Sequence, residues 1–351
     1  MTLHCTVNYE TACFVIPVPT RRDGNPELCR ATRIPFFQNF LALCETAPDW
    51  DAKNIIGSMC EDLAGKIGNR EVIIAYSGGV DSSVTAALLK KVRGEGLLCL
   101  TIDGGNFREG EVQEIQRNAW DLRCLHEVVY AAQEFLNALD GIVDAETKRK
   151  IFQSFYQTLL LRHARGIVAD GTTQPDLIES GKTGGDVIKT HHNPGTASLN
   201  PLKGFFKDEV RDLARALGLP EYIVNRESFP GPGLFIRMPG LAVTQERLLL
   251  LRWADAQVRN IVSVHPIAGE ISQLVVALLG IRVTGVGGDK RRYNYPIAVR
   301  AVKTIDYMTA RGVRLPDEVM REINDMISAH EDLAYAVEVC VDKPPGTIEF
   351  E

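Results

Sequence analysis

EVIIAYSGGVDSSVTAALLKKV, from Glu71 to Val92, reads as a short β-branched strand, a glycine turn and a segment with helical apolar spacing. Between strand and helix stand Ser77, Gly78, Gly79, Val80, Asp81, Ser82 and Ser83. Gly78 and Gly79 permit positive φ and close backbone approach. The hydroxyls of Ser77, Ser82 and Ser83 are donors for anionic oxygens, and the following helix aims its N-terminus at the turn. Such a loop suits a pyrophosphate. It lacks the lysine and spacing of GxxxxGK[ST] and does not follow GxGxxG. The plain structural alternative is a glycine turn with a Ser/Asp helix cap.

Outward from this unit the order repeats. GLLCLTIDGG reads as a strand and EGEVQEIQRNAWDLR as a helix; EVVYA is a strand, a long helical stretch runs through KRKIFQSFYQTLLLRHA, and GIVADGTT is another strand. Strands alternating with helices predict an α/β fold with a doubly wound parallel sheet. Residues 180–200, rich in Gly, Thr, His and Asn, read as a loop over the site, and KDEVRDLARALG follows as a helix.

FPGPGLFIRMPG, residues 229–240, is too dense in Gly and Pro for a regular element and places a domain boundary. Beyond it, one helix (ERLLLLRWADAQVRNIV), strands in QLVVALLGIRV and YPIAVRAVK, a second helix (PDEVMREINDMISAH) and a last strand (LAYAVEVCV) predict a smaller α+β unit. The predicted division is an N-terminal extension with a lead-in helix over 1–65, a nucleotide domain over 66–234 and a C-terminal domain over 235–351.

Composition excludes several classes. With 351 residues, 45% hydrophobic and 24% charged, the chain is globular rather than disordered or fibrous. Lys plus Arg is 39 against 45 for Asp plus Glu, a net charge of −6, so no global field attracts nucleic acid. No apolar run approaches the ~18 residues of a membrane span, and the first residues lack a basic segment before their short apolar stretch. The expected location is cytoplasmic, with neither nucleic acid nor membrane as partner. The eight cysteines form no CxxC pair, which argues against structural zinc; five of them fall within the first 60 residues.

The full string SGGVDSS resembles the loop of the ATP pyrophosphatase (PP-loop) enzymes, which split ATP into AMP and pyrophosphate while activating a carbonyl oxygen as its adenylate. Further strings narrow the resemblance: GTTQPDLIESG (171–181), IKTHHN (188–193), PLKGFFKDEVR (201–211), FPGPGL (229–234), YPIAVRAV (295–302) and KPPGTIEFE (343–351). In this order, from about residue 65 onward, the chain is similar to the ATP pyrophosphatase and dimerisation domains of the GMP synthetase family. The resemblance implies an adenine nucleotide alpha hydrolase-like fold with a dimerising C-terminal domain. It also implies ATP and Mg²⁺, XMP as the purine nucleotide acceptor, GMP as product, and a homodimer.

Residue chemistry agrees with that implication. Asp103 ends the second strand at the crevice of such a sheet, and Gly171 follows the fourth. Asp81 stands beside the phosphate loop, suited to Mg²⁺, which usually takes one or two carboxylates together with substrate phosphates. Lys189, His191, His192 and Lys207 are cations or donors for developing polyphosphate charge; a solvated loop pair and an ordinary helix lysine are the plainer readings. Asp176 and Glu179, three apart, share a helical face and suit Mg²⁺ or a purine edge, or simply a helix start. By resemblance, Pro232, Gln273, Arg300, Lys343, Thr347, Ile348 and Glu349 fall at nucleotide-binding positions.

Two departures bear on function. Residues 1–65 are too few for the glutamine amidotransferase domain of a complete bacterial GMP synthetase, and none of their cysteines has a Gly-x-Cys-x-Gly context. Ammonia is then expected from solution, from a separate glutaminase or from another donor protein. Tyr335 also stands where the family has an arginine that helps hold the nucleotide phosphate; losing one charge-assisted contact costs on the order of 1.5 to 3 kcal/mol. The leading expectation is a synthetase of the XMP-to-GMP type. A divergent enzyme that activates another purine or similar carbonyl for a nucleophile such as sulfur is the alternative, and a non-catalytic nucleotide-binding protein is a third reading, disfavoured by the intact SGGVDSS and IKTHHN.

Overall fold

β1 (Val72–Ala75) and β2 (Leu97–Asp103) are apolar on both faces, as strands covered by helices on either side must be. The structure is a computed structural model that describes residues 51–164, 166–179, 198–287, 290–305, 307 and 309–350. Five parallel strands run in the order β3-β2-β1-β4-β5, with β3 at Leu125–Tyr130, β4 at Ile167–Ala169 and β5 at Ser198–Leu199. Strand order reverses between β1 and β4. In an open parallel sheet the ligand crevice lies at the carboxyl ends of the strands flanking that reversal.

α1 (Ala52–Ile67), capped by Asp51, buries Leu63 and Ile67 against α2 (Val80–Arg93) and α7 (Lys207–Ala216). The lead-in helix is therefore built into the core under the phosphate loop. α3 (Glu111–Asp121) follows β2. The single long helical stretch expected after β3 is two helices, α4 (Ala132–Ala138) and α5 (Ala145–His163). Gly141, at φ +71°, turns the chain between them, and Asp144 opens α5 by accepting the Thr147 amide at 2.7 Å. α6 (Gln174–Glu179) follows β4, and α8 (Glu221–Val224) follows α7.

The segment expected to be a domain boundary is core. Leu234, Phe235, Ile236 and Met238 are buried, and only one 3₁₀ turn, Gly233–Phe235, interrupts the irregular backbone. The loop after β2 fastens it: Asn106 Nδ2 donates to Gly231 O at 2.8 Å, and Asn106 O accepts from Leu234 N at 2.8 Å. Gly233 has φ +56°, and a Cβ there would press on the Asn106 carbonyl and stand 2.9 Å from the Phe229 ring.

Beyond it, α9 (Gln245–Ser263) and α10 (Asp317–Ser328) pack on a second sheet of order β10-β8-β6, with β7 and β9 also paired to β8. β6 is Gln273–Leu278, β7 Val283–Gly287, β8 Lys290–Lys303, β9 Arg311–Val313 and β10 Leu333–Glu338. β8 runs longer than the sequence suggests because it pairs first with β7 and then with β6, β9 and β10. One hydrophobic cluster spans both halves, from Leu100 and Ile102 of β2 through Phe235 and Met238 to Val276, Ile297 and Ile323. Lys148 of α5, fully buried, donates to Met238 O at 3.0 Å and Leu241 O at 2.6 Å, tying the first half to the connecting segment.

Candidate active site

The phosphate loop leaves β1 at the reversal point. Gly78, at φ +68°, lies so close to α3 that a Cβ would stand 2.9 Å from Ile115 Cγ1, and its carbonyl accepts from Asn118 Nδ2 at 3.0 Å. Only glycine fits there. Ser77 Oγ and Ser82 Oγ are 3.1 Å apart at the loop mouth. Ser83 is fully buried with its hydroxyl 3.2 Å from Tyr76 OH, so it braces the loop from within, a correction to its expected place among the anion donors. Val80 is likewise buried in the core.

Asp81 lies in the first turn of α2 and is ion-paired with Lys207, which opens α7. Burial raises the Asp81 carboxyl above the usual carboxylate range, against the pull of the Lys207 ammonium, and its Oδ1 has no hydrogen-bond partner. Gly171, after β4, lets the chain lie against this turn: a Cβ there would be 2.9 Å from Ser82 N. Asp103 ends β2 with Oδ1 accepting Gly105 N at 2.8 Å. The loop, Asp81, Lys207 and Gly171 are thus brought together. Asp176 is turned back on its own helix start, its Oδ2 accepting Thr173 N and Thr173 Oγ1, each at 2.7 Å. Lys189, His191 and His192, and the side chain of Glu179, lie outside the described residues.

The predicted acceptor residues divide. Glu349 is buried and paired with Arg237 at 2.8 and 3.0 Å, and it accepts from Gln273 Nε2 at 3.0 Å. Arg300 is committed to the tail: Nη1 donates to the carbonyls of Thr347, Ile348 and Glu349 at 2.7 to 3.1 Å, and the guanidinium lies 3.9 Å from the Phe350 ring centroid. Its Nη1 thus shapes the tail, while its Nε has no hydrogen-bond partner. Ile348 packs with Val275 and Val302. Thr347 Oγ1 donates to Glu349 O, Lys343 Nζ donates to Tyr307 O at 2.9 Å, and Pro232 is buried in the connecting segment. Tyr335 is exposed on β10, and among the described residues no hydrogen bond joins it to the tail.

A cavity of about 610 Å³ opens among α3, α8 and α9, with Arg108, Glu111, Arg226, Glu227, Asp255 and Arg259 in its wall. Arg226 Nη1 donates to Ser77 O at 3.1 Å, so this wall touches the phosphate loop. On the far side Asp255 faces Arg237 at 3.6 Å, and Arg237 holds Glu349. Burial acts to raise the Glu111 and Glu227 carboxyls, but Arg108, Arg226 and Arg259 outweigh it and hold both below the usual range. The sequence reading missed these residues. Arg108 and Glu111 of NFREGE are an i,i+3 pair that spacing alone could have offered, whereas the links from Arg226 and Glu227 of NRESF run to residues 32 to 149 positions away and carry no spacing signal. Asp170 was missed too. It follows β4 as Asp103 ends β2, each before a glycine, a repeat that was there to find; burial raises its carboxyl.

A strand–SGGVDSS–helix unit at the reversal point of a parallel sheet defines a nucleotide-binding α/β protein of the PP-loop kind. Residues 261–350 match the GMP synthase C terminal domain, and residues 70–222 match a family of unknown function, DUF7411. The glutamine-hydrolyzing GMP synthases of Treponema denticola and Coxiella burnetii are 39% and 38% identical over 90% and 88% of this chain; that of Prochlorococcus marinus is 40% identical over 93%. The chain spans 63%, 62% and 66% of their respective lengths. An NH3-dependent NAD synthetase structure from Campylobacter jejuni aligns at 19% identity and a TM-score of 0.42 over 62% of this chain and 90% of that one. The chain belongs to the GMP synthase family, in the portion holding the phosphate loop and the C-terminal domain.

Proposed function

We propose that the protein is an ATP pyrophosphatase ligase that adenylates the carbonyl oxygen of a purine nucleotide, XMP first among acceptors, and admits ammonia to give GMP. The carbonyl oxygen attacks the α-phosphorus of ATP and pyrophosphate leaves. Ammonia then adds at the activated carbon, loses a proton and expels AMP with the oxygen. Ser77, the loop amides and the α2 N-terminus hold the departing pyrophosphate, and Lys207 meets its growing charge. The residues fit Mg²⁺: the unpartnered Oδ1 of Asp81 beside the loop suits an ion that takes most of its other ligands from phosphates and water. That ion would neutralise phosphate charge.

The observation that carries this reading is adjacency. Arg226 holds the carbonyl of Ser77 and lines a cavity whose wall residue Asp255 is linked through Arg237 to Glu349 of the C-terminal tail. Two substrates bound at the loop and in the cavity would meet. Ammonia comes from solution or a separate glutaminase, the pair of functional domains is 66–234 and 235–351, and the second makes a homodimer. No helix among the described residues is long and apolar enough to cross a membrane, in keeping with a cytoplasmic enzyme.

One observation favours the second reading, a different acceptor or nucleophile. The cavity wall holds five carboxylates against three guanidiniums, so it does not itself draw a nucleotide phosphate. The test is incubation with ATP, Mg²⁺ and a panel of purine nucleotides with ammonium or sulfide, following pyrophosphate and product mass. GMP with stoichiometric AMP and pyrophosphate is the expected result. ADP and phosphate as primary products refute the pyrophosphatase reading, and turnover of another acceptor with none of XMP replaces the leading substrate.

A further inference from the structure

We propose that Glu227 is a positioning residue through which the acceptor cavity and the phosphate loop bias one another; this rests on the cavity's taking the acceptor. Glu227 joins two halves that otherwise answer to different ligands. From the second half it takes Leu274 N of β6 at 2.9 Å and Arg259 Nη1 at 2.6 Å; from the first it takes Arg108 Nη1 at 3.3 Å. Arg108 in turn holds Glu111 at 2.6 Å, and Glu111 is paired with Arg226, the neighbour of Glu227 in sequence. Arg226 ends on the Ser77 carbonyl.

In the other direction Arg259 holds Asp255 at 2.7 Å and also donates to Leu274 O. The series continues through Arg237 to Glu349 of the tail. The side-chain links are charged pairs in a largely buried wall, where removing one partner leaves the next uncompensated, and the ends are charge-assisted hydrogen bonds to the backbone at Ser77 O and Leu274 N, so a shift at one end is passed on. Glu227 is the one carboxylate of this series that bonds to both sheets' halves, and Arg108 is shared between it and Glu111. An acceptor in the cavity that draws Arg108 or Arg259 towards itself changes the load on Glu227. The change reaches Ser77 through Glu111 and Arg226. By reciprocity, ATP at the loop must alter acceptor affinity by the same factor.

Glu227→Gln keeps an oxygen for Leu274 N and removes the charge shared by Arg108 and Arg259. The assay is titration of the full chain with α,β-methylene ATP, with and without saturating XMP, and the reverse titration. In the wild type each ligand should tighten the other at least ~5-fold, the low end for coupled sites. In Glu227→Gln the analogue alone should bind within ~2-fold of wild type while the mutual factor falls below ~2. A mutual factor as large as that of wild type overturns the proposal, as does a parallel loss of both affinities with the factor intact, which marks a merely structural role. Failure of wild type to bind XMP sinks the acceptor reading and this proposal together. Should Glu227→Gln fold poorly, Glu227→Gln/Arg259→Met, which leaves no uncompensated arginine in that pair, is read by the same criterion.

Discussion

Replacing Lys148 by Met tests how the connecting segment is held. In the folded chain burial lowers the ammonium from an ordinary value of 10.5 to about 8, with Arg247 adding repulsion. The unfolded chain therefore binds more protons than the folded one between those two values, and the sign follows: below pH 8 both forms are charged and the cost of burial is fully present, whereas stability rises as pH climbs from 8 towards 10.5. From this group alone the wild type should gain on the order of 1 kcal/mol by pH 9 and roughly 2 to 3 kcal/mol by pH 10, relative to its stability well below pH 8. Lys148→Met lacks that gain and also loses the donors to Met238 O and Leu241 O. Urea unfolding of both proteins at pH 7, 9 and 10 gives the difference directly and cancels the titration of every other group. A difference that stays flat within about 0.5 kcal/mol across that range refutes the placement of a charged lysine in this interior. The result matters for function, because the carbonyls that Lys148 holds belong to the segment that presents Arg237 to Glu349.

Gly78→Ala, forced to φ +68° with its methyl against Ile115, should weaken ATP binding about tenfold or more while lowering Tm by only a few degrees; tight binding in calorimetry would show that the loop tolerates a side chain. Asp81→Asn should cut kcat by about 10²-fold or more with the circular dichroism melt retained, and near-normal turnover would remove Asp81 from the site. If XMP is the acceptor, Lys343→Ala should raise its KM steeply and Tyr335→Arg should lower it; a Tyr335→Arg enzyme with no gain in kcat/KM for XMP places the phosphate elsewhere. Light scattering should report a dimer at micromolar concentration through residues 241–351, and a stable monomer would count against it.

What could be read in the sequence followed from how local its cause is. The phosphate loop is seven contiguous residues whose glycines, hydroxyls and helix start act together, so a strand–turn–helix unit with Gly78 at positive φ could be read from the string alone. The strand and helix alternation gave the parallel sheet for the same reason. Two surroundings were set by burial and could not be read from the strings themselves. FPGPGLFIRMPG forms no regular element, as its glycines and prolines imply, yet Asn106 and Lys148 supply hydrogen bonds to its backbone and most of the segment is packed as core, which local composition does not show. Arg300 sits in a string that matches the family, and its Nη1 is engaged by three carbonyls of the tail while its Nε has no partner, a division of the guanidinium that the string does not reveal.

The cavity wall was illegible for a different reason. Arg226 and Glu227 are adjacent in sequence, yet one guanidinium turns to the phosphate loop at Ser77 and the neighbouring carboxylate turns to β6 at Leu274. Their partners lie 149 and 47 residues away, and neither periodicity nor spacing constrains such pairs. The two residues stand just before the connecting segment, where the first half of the chain gives way to the second. A single dipeptide there can touch both the phosphate loop and β6 only because the segment after it is fixed in the core; were that segment free, Arg226 and Glu227 would have no common frame. The packing of the connecting segment is thus the condition for the proposed two-substrate arrangement, and the Lys148 measurement bears on that proposal as much as on stability.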